Sequence, residues 1–181
     1  ERYDWLQEYS WKVMPRDRDE YTKAVAAQEN PRGYVIIGRK GTKNILPVQA
    51  CLYLGREQIQ YVHNIIIAEE GAELHIVSGC ASGRHVGKGG AHYGISEFYV
   101  KRNAKISFTM IHTWGEEIEV YPRSASIIEE NGIFLSNYVC MQPVRKVQMY
   151  PTANLQGENA VARFSSIVIA SPTSYLDIGS R

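Results

Sequence analysis

Charge of one sign is the first thing missing from these 181 residues: 20 Lys and Arg stand against 19 Asp and Glu. That leaves neither a basic field for nucleic acid nor an acidic one for cationic partners. Long apolar runs are missing too, so the sequence predicts no membrane-spanning helix and no signal-peptide core. Cysteine is scarce. Cys51, Cys80 and Cys140 are odd in number and lie 29 and 60 residues apart, which is neither a disulfide framework nor a zinc-ribbon spacing. A reducing, cytosolic home is the expectation. The length suits one compact domain or a small core with an appendage. Because the chain starts at Glu1 without a methionine and stops at Arg181 straight after a strand-like run, a fragment truncated at its C-terminal end is expected.

What the sequence does hold is a corner repeated five times: Arg39-Lys40-Gly41-Thr42, Glu69-Glu70-Gly71-Ala72, Lys101-Arg102-Asn103-Ala104, Glu129-Glu130-Asn131-Gly132 and Gly157-Glu158-Asn159-Ala160, starting 30, 32, 28 and 28 residues apart. Such an interval marks a repeat architecture. Gly and Asn tolerate the left-handed backbone of a sharp turn, so the third position of each copy is the turn itself. After the corners, Leu74/Ile76 and Ile106/Phe108 alternate with Glu73/His75 and Lys105/Ser107, the pattern of strands. Ile133 to Ser136 and Val161 to Phe164 are more apolar, as for strands covered on both faces. Strands recurring without crossover helices predict an all-β solenoid, a parallel β-helix. An antiparallel sandwich is the structural rival.

The first residues read differently. Tyr3, Trp5, Leu6, Tyr9, Trp11 and Val13 form an aromatic-rich cluster ending at Pro15. Asp17 or Asp19 is placed to cap a helix from Glu20 to Gln28, which Asn30-Pro31 stops. Residues 1–32 are thus expected to be an N-terminal helical segment that closes the end of a β-helix core spanning 33–181, since a solenoid must hide its terminal coil. A partner-docking segment is the alternative.

Candidate chemistry concentrates between Ser78 and His92, where a strand ends in a Gly-rich loop holding Cys80, Arg84, His85, Lys88 and His92. Nearby cations lower a thiol pKa and favour the nucleophilic thiolate, so Cys80 is expected to be the most reactive of the three thiols, against the alternative of a small buried apolar residue. Gly83 to Lys88 lacks the spacing, the Ser/Thr and the following helix of a phosphate-binding loop. His63 and His112 sit at strand positions where a satisfied structural histidine is expected, and Cys51 and Cys140 lie in apolar runs and are expected in the core. The pairs Glu69/Glu70, Glu116/Glu117 and Glu129/Glu130 suggest solvated turns rather than glycosidase carboxylates.

The stretches Val62 to Glu69, Ser78-Gly79-Cys80, His92 to Val100 and Phe108 to Trp114 resemble the SufB/SufD proteins of iron–sulfur cluster assembly, most closely the short archaeal form. The likeness runs on through Asn137-Tyr138, Tyr150 to Ala153 and Ser174 to Gly179, and the Trp5 to Val13 segment is similar to the family's helical entry. The resemblance implies a right-handed parallel β-helix and a scaffold rather than an enzyme. It also implies three partners: a SufC-type ABC ATPase, a homologous SufB/SufD subunit or a second copy of the chain as a dimer, and a sulfur donor. A transient iron–sulfur cluster is implied in the full complex and none on this chain alone. Cys80 matches the family's Gly-Cys loop and is implied as sulfur acceptor or iron ligand, with His85 or His92 helping. The family's second late cysteine or its substitute, its Ser-His-Glu-Ala-like stretch and its ATPase-binding helical region have no counterpart in this sequence. A SufD-like structural subunit without chemistry is the alternative, and a polysaccharide-active β-helix a distant third.

Overall fold

The computed structural model describes residues 4–55, 58–83 and 89–181. A 3₁₀ helix, Asp4–Glu8, and a short helix α1, Glu20–Ala26, precede the strands. Asp19 caps α1 by accepting from the backbone N–H of Tyr21 and Thr22, and Thr22 closes the capping box. The strands are β1 Val35–Gly38, β2 Val48–Leu54, β3 Ile59–Ala68, β4 Glu73–Ser82, β5 Gly90–Val100, β6 Lys105–Thr113, β7 Ile118–Ile128, β8 Ile133–Cys140, β9 Lys146–Met149, β10 Thr152–Leu155, β11 Val161–Val168 and β12 Tyr175–Ile178. Every pairing between them is parallel. The front sheet runs β1-β3-β5-β7-β9-β12 with β10 also on β7, and the back sheet runs β2-β4-β6-β8-β11. The result is a parallel β-solenoid of about five turns, and the sandwich alternative falls.

The corners explain the repeat. Gly41, Gly71, Asn103, Asn131 and Asn159 have φ of +68°, +70°, +57°, +54° and +58°, the left-handed region that Gly and Asn enter at least cost. Successive corners stack: Gly41 N–H donates to Glu70 O, Gly71 N–H to Arg102 O, Asn103 N–H to Glu130 O and Asn131 N–H to Glu158 O. Asn159 donates to Asn131, and Asn131 to Asn103, through side-chain amides at 3.0 Å. The flanking charges are paired rather than merely solvated. Basic and acidic pairs alternate over the first four corners, which sets Arg39 on Glu69, Lys40 on Glu70, Lys101 on Glu129 and Arg102 on Glu130. Water screens exposed pairs of this kind, so they set register more than stability.

The interior divides along each strand. Beside the corners, Ile66, Leu74, Ile76, Phe98, Ile106, Phe108, Ile128 and Phe134 form an apolar core between the sheets. At the opposite side lie Leu54, Trp114, Ile118, Val120, Tyr138, Val144 and Val147.

The N-terminal segment corrects the expectation of an end cap. It lies across the outer face of the front sheet, where Val13, Met14 and Val25 pack on Ile65, Ile67, Ile95, Tyr99 and Ala125. The reason is that this sheet is apolar on both faces, so its outer side needs cover as much as its inner one. A fully buried carboxylate ties the segment down: Glu97 accepts from the backbone N–H groups of Trp11, Val13 and Met14 and is paired with His63 Nε2 at 2.8 Å. Burial alone raises the Glu97 pKa, but His63 and the N–H groups of Val13 and Met14 outweigh it and hold the carboxyl below its ordinary range. Arg123, bonded to Asp19 and to the Gln148 carbonyl and laid over the ring of Tyr21, makes a second tie.

Candidate functional site

Alternation along β4 turns Leu74, Ile76, Ser78 and Cys80 inward, so Cys80 is 2% exposed inside the solenoid. Parallel register then sets Cys80 beside His112 on β6 and His112 beside Cys140 on β8, one column of the inner face. One step back along the same strands run Ser78, Met110 and Tyr138. From the front sheet, His92 and Gly94 on β5, Asn64 on β3 and Ser124 on β7 face them across a cavity of about 60 Å³. Cys80, Met110, His112, Ser136 and Tyr138 complete its wall. That volume accommodates a few waters or one small polyatomic species.

Each imidazole is fixed by a neutral partner. His92 Nδ1–H donates to Gln60 Oε1 at 2.8 Å, and Gln60 Nε2 in turn donates to the Tyr53 carbonyl. The lone pair of His92 is therefore on Nε2, over Gly94. A Cβ at Gly94 would stand 2.6 Å from that nitrogen, so the absent side chain is what gives the ring its place. His112 Nδ1 meets the Tyr138 hydroxyl at 3.0 Å, while His112 Nε2 and Trp114 Nε1, both buried, have no partner among the described residues. The His112 expectation is thus corrected: the ring is buried but not satisfied.

Electrostatics also reverse the expectation for Cys80. Burial, and secondarily Cys51, push its thiol up to about 12. Burial alone takes His92 down to about 4, and burial with neighbouring His92 holds His112 well below the ordinary 6.5. The thiol and both imidazoles are thus held neutral. Cys80 Sγ donates weakly to Met110 Sδ at 3.9 Å. Arg84, His85 and Lys88, expected around the thiol, lie outside the described residues. Cys51 is likewise a correction, since it sits on the outer face of β2 and is exposed. Cys140 is buried as expected. Among the described residues, no group of three or more His, Cys, Asp or Glu is placed to hold a metal ion, and no helix is long and apolar enough to cross a membrane.

The column of Cys80, His112 and Cys140 was open to sequence reasoning. The 32-residue step from the second corner to the third carries position 80 to 112, and the next step of 28 carries it to 140. A histidine read strand by strand shows no such neighbours.

A family model described as "SUF system FeS cluster assembly, SufBD core domain" matches residues 52–181. An iron–sulfur cluster assembly SufBD family protein of Archaeoglobus fulgidus is 52% identical over 181 residues, all of this chain and 48% of the relative. A SufBD family protein of Methanothermobacter thermautotrophicus strain Winter is 45% identical, again over the whole chain and 45% of the relative. The iron–sulfur cluster assembly protein SufB of Bacillus subtilis is 25% identical over 183 residues, all of this chain and 38% of that protein. The chain spans about half the length of these curated relatives from Archaeoglobus and Methanothermobacter.

Proposed function

Because the chain belongs to the SufBD family of iron–sulfur cluster assembly proteins, we propose that it is part of the sulfur-accepting scaffold of a SUF-type assembly, with Cys80 as the acceptor. The observation that carries this reading is a thiol set in the wall of a cavity with polar groups on both sides, inside a solenoid otherwise packed with aliphatic and aromatic side chains. A sulfur atom added to Cys80 extends into that space, away from bulk water and competing thiols. Cluster iron prefers several thiolates, and the spacing of the described ligand-type side chains supports giving Cys80 to sulfur rather than to iron. The cluster is then cargo, completed by residues elsewhere in the assembly.

The proposed partners are a SufC-type ABC ATPase, a homologous SufB/SufD subunit or second copy joined through strand edges, and a persulfide-bearing donor, in a reducing cytoplasm. A second reading, a SufD-like structural subunit, is favoured by the burial of Cys80 and its raised thiol pKa. Anaerobic incubation of the full-length protein with iron, a persulfide-bearing donor and a thiol-free electron donor, with no free sulfide present, followed by absorption spectroscopy, separates the two. Wild type is expected to develop the visible bands of a cluster and Cys80→Ser to lose most of them. Equal bands in both transfer the role to the structural subunit.

A further inference from the structure

A thiol kept neutral inside a closed fold needs a proton acceptor at hand before it can act. His112 is in direct register with Cys80 on the adjacent strand, about 4.8 Å away backbone to backbone. It is 1% exposed, lines the same cavity and has no partner at Nε2 among the described residues. Its other nitrogen is engaged by Tyr138. Of the two arrangements of that bond, Nδ1–H donating to the Tyr138 oxygen leaves Nε2 a bare lone pair. The reverse would leave a buried orphan N–H, the rarer and costlier outcome. Nucleophile, base and orienting hydroxyl then follow one another as in other activated-nucleophile sites, with the first contact open until a ligand enters.

We propose that His112 Nε2 is the general base that activates Cys80 for sulfur uptake, positioned by Tyr138; this rests on the acceptor role given to Cys80 above. The step is a sulfur transfer from a persulfide, R–S–SH. As the thiol proton moves to His112 Nε2, Cys80 sulfur attacks the donor's sulfane sulfur. The new S–S bond forms as the donor's own S–S bond breaks, and the proton passes from His112 to the departing thiolate, giving Cys80–S–SH and R–SH with no external oxidant or reductant. Burial disfavours a lone thiolate and a lone imidazolium alike, but formed side by side each supplies the other's counter-ion. The titratable groups facing His112 are Cys80 from β4, Tyr138 and Cys140 from β8, and His92 from β5, none of them charged at neutral pH.

The test uses full-length protein in a Cys51→Ser background, so that the exposed thiol does not compete. Hydrogen persulfide serves as the smallest donor, and mass spectrometry of the Cys80 peptide gives the rate. His112→Gln keeps a side chain of similar reach without a titrating nitrogen. It is expected to slow Cys80 persulfidation about a hundredfold, within the usual range for a general base, and to replace a shallow pH dependence by one rising steeply with pH. Tyr138→Phe keeps the ring packing and is expected to slow the step about tenfold. Wild-type rates and profiles in both variants overturn the proposal while leaving Cys80 the acceptor. Absence of sulfur on Cys80 in the parent protein overturns the acceptor reading itself.

Discussion

Replacing Glu97 by Ala should free the N-terminal segment from the solenoid. The carboxylate is fully buried and accepts from three backbone N–H groups, on Trp11, Val13 and Met14, besides pairing with His63. Truncation leaves those donors facing an apolar gap. An orphaned buried donor costs about 1–3 kcal/mol, and the segment escapes part of that cost by lifting toward water. With three such donors orphaned together, less what lifting recovers, the expected loss is about 3–5 kcal/mol. Glu97→Gln retains one acceptor oxygen and should cost about half as much. Urea unfolding measures the loss, and limited proteolysis in native buffer should cut the variant's first thirty residues much sooner than those of the wild type. The same tie is pH dependent. The folded Glu97 pKa is depressed, so its contribution is complete above the ordinary 4.5 and is lost as the pH falls through the lower folded value. A Glu97→Ala protein within about 1 kcal/mol of wild type, with its N-terminal segment still protected, would refute the latch.

Three further outcomes follow from the site and the corners. His92 is taken from the ordinary 6.5 to about 4, so the unfolded chain binds a proton that the folded one refuses; stability should fall by about 3 kcal/mol as pH drops from 6.5 to 4. His92→Gln should flatten that part of a urea-unfolding pH series, and an unchanged slope would count against a buried neutral imidazole. With limiting iodoacetamide, Cys51 should alkylate well before Cys80 and Cys140, because it is exposed and they are buried; peptide mass spectrometry reads the order. Asn131→Val should cost about 1–3 kcal/mol for a β-branched residue at φ +54°, whereas Asn131→Gly should cost less, and equal losses would mean the left-handed corner is not what fixes Asn there.

The solenoid was legible because its turns need a backbone that few residues adopt, so Gly41, Gly71, Asn103, Asn131 and Asn159 print the coil length directly into the sequence. The cap of α1 was legible for the same local reason. Where the N-terminal segment lies was not, because it is decided by Glu97 and Arg123, which are 84 and 104 residues from the Val13 and Asp19 they hold. The burial of Cys80 follows from strand alternation and coil length, not from the charged residues that come after it in sequence. Alternation from Leu74 carries Cys80 inward, and the coil interval makes His112 its neighbour. Cys51 shows the converse. Its apolar run suggested the core, yet its place opposite Gly79 puts it on the outer face of the back sheet.

The central claim, that sulfur enters this scaffold at Cys80, is tested most directly by locating the atom. The full-length protein is incubated anaerobically with a persulfide-loaded protein donor, quenched before thiol exchange and digested for peptide mass spectrometry. An added sulfur is expected on the peptide carrying Cys80, with Cys140 unmodified and Cys51→Ser protein loaded as well as wild type. Sulfur found on Cys51 alone, with Cys80 unmodified while clusters still assemble, would contradict it.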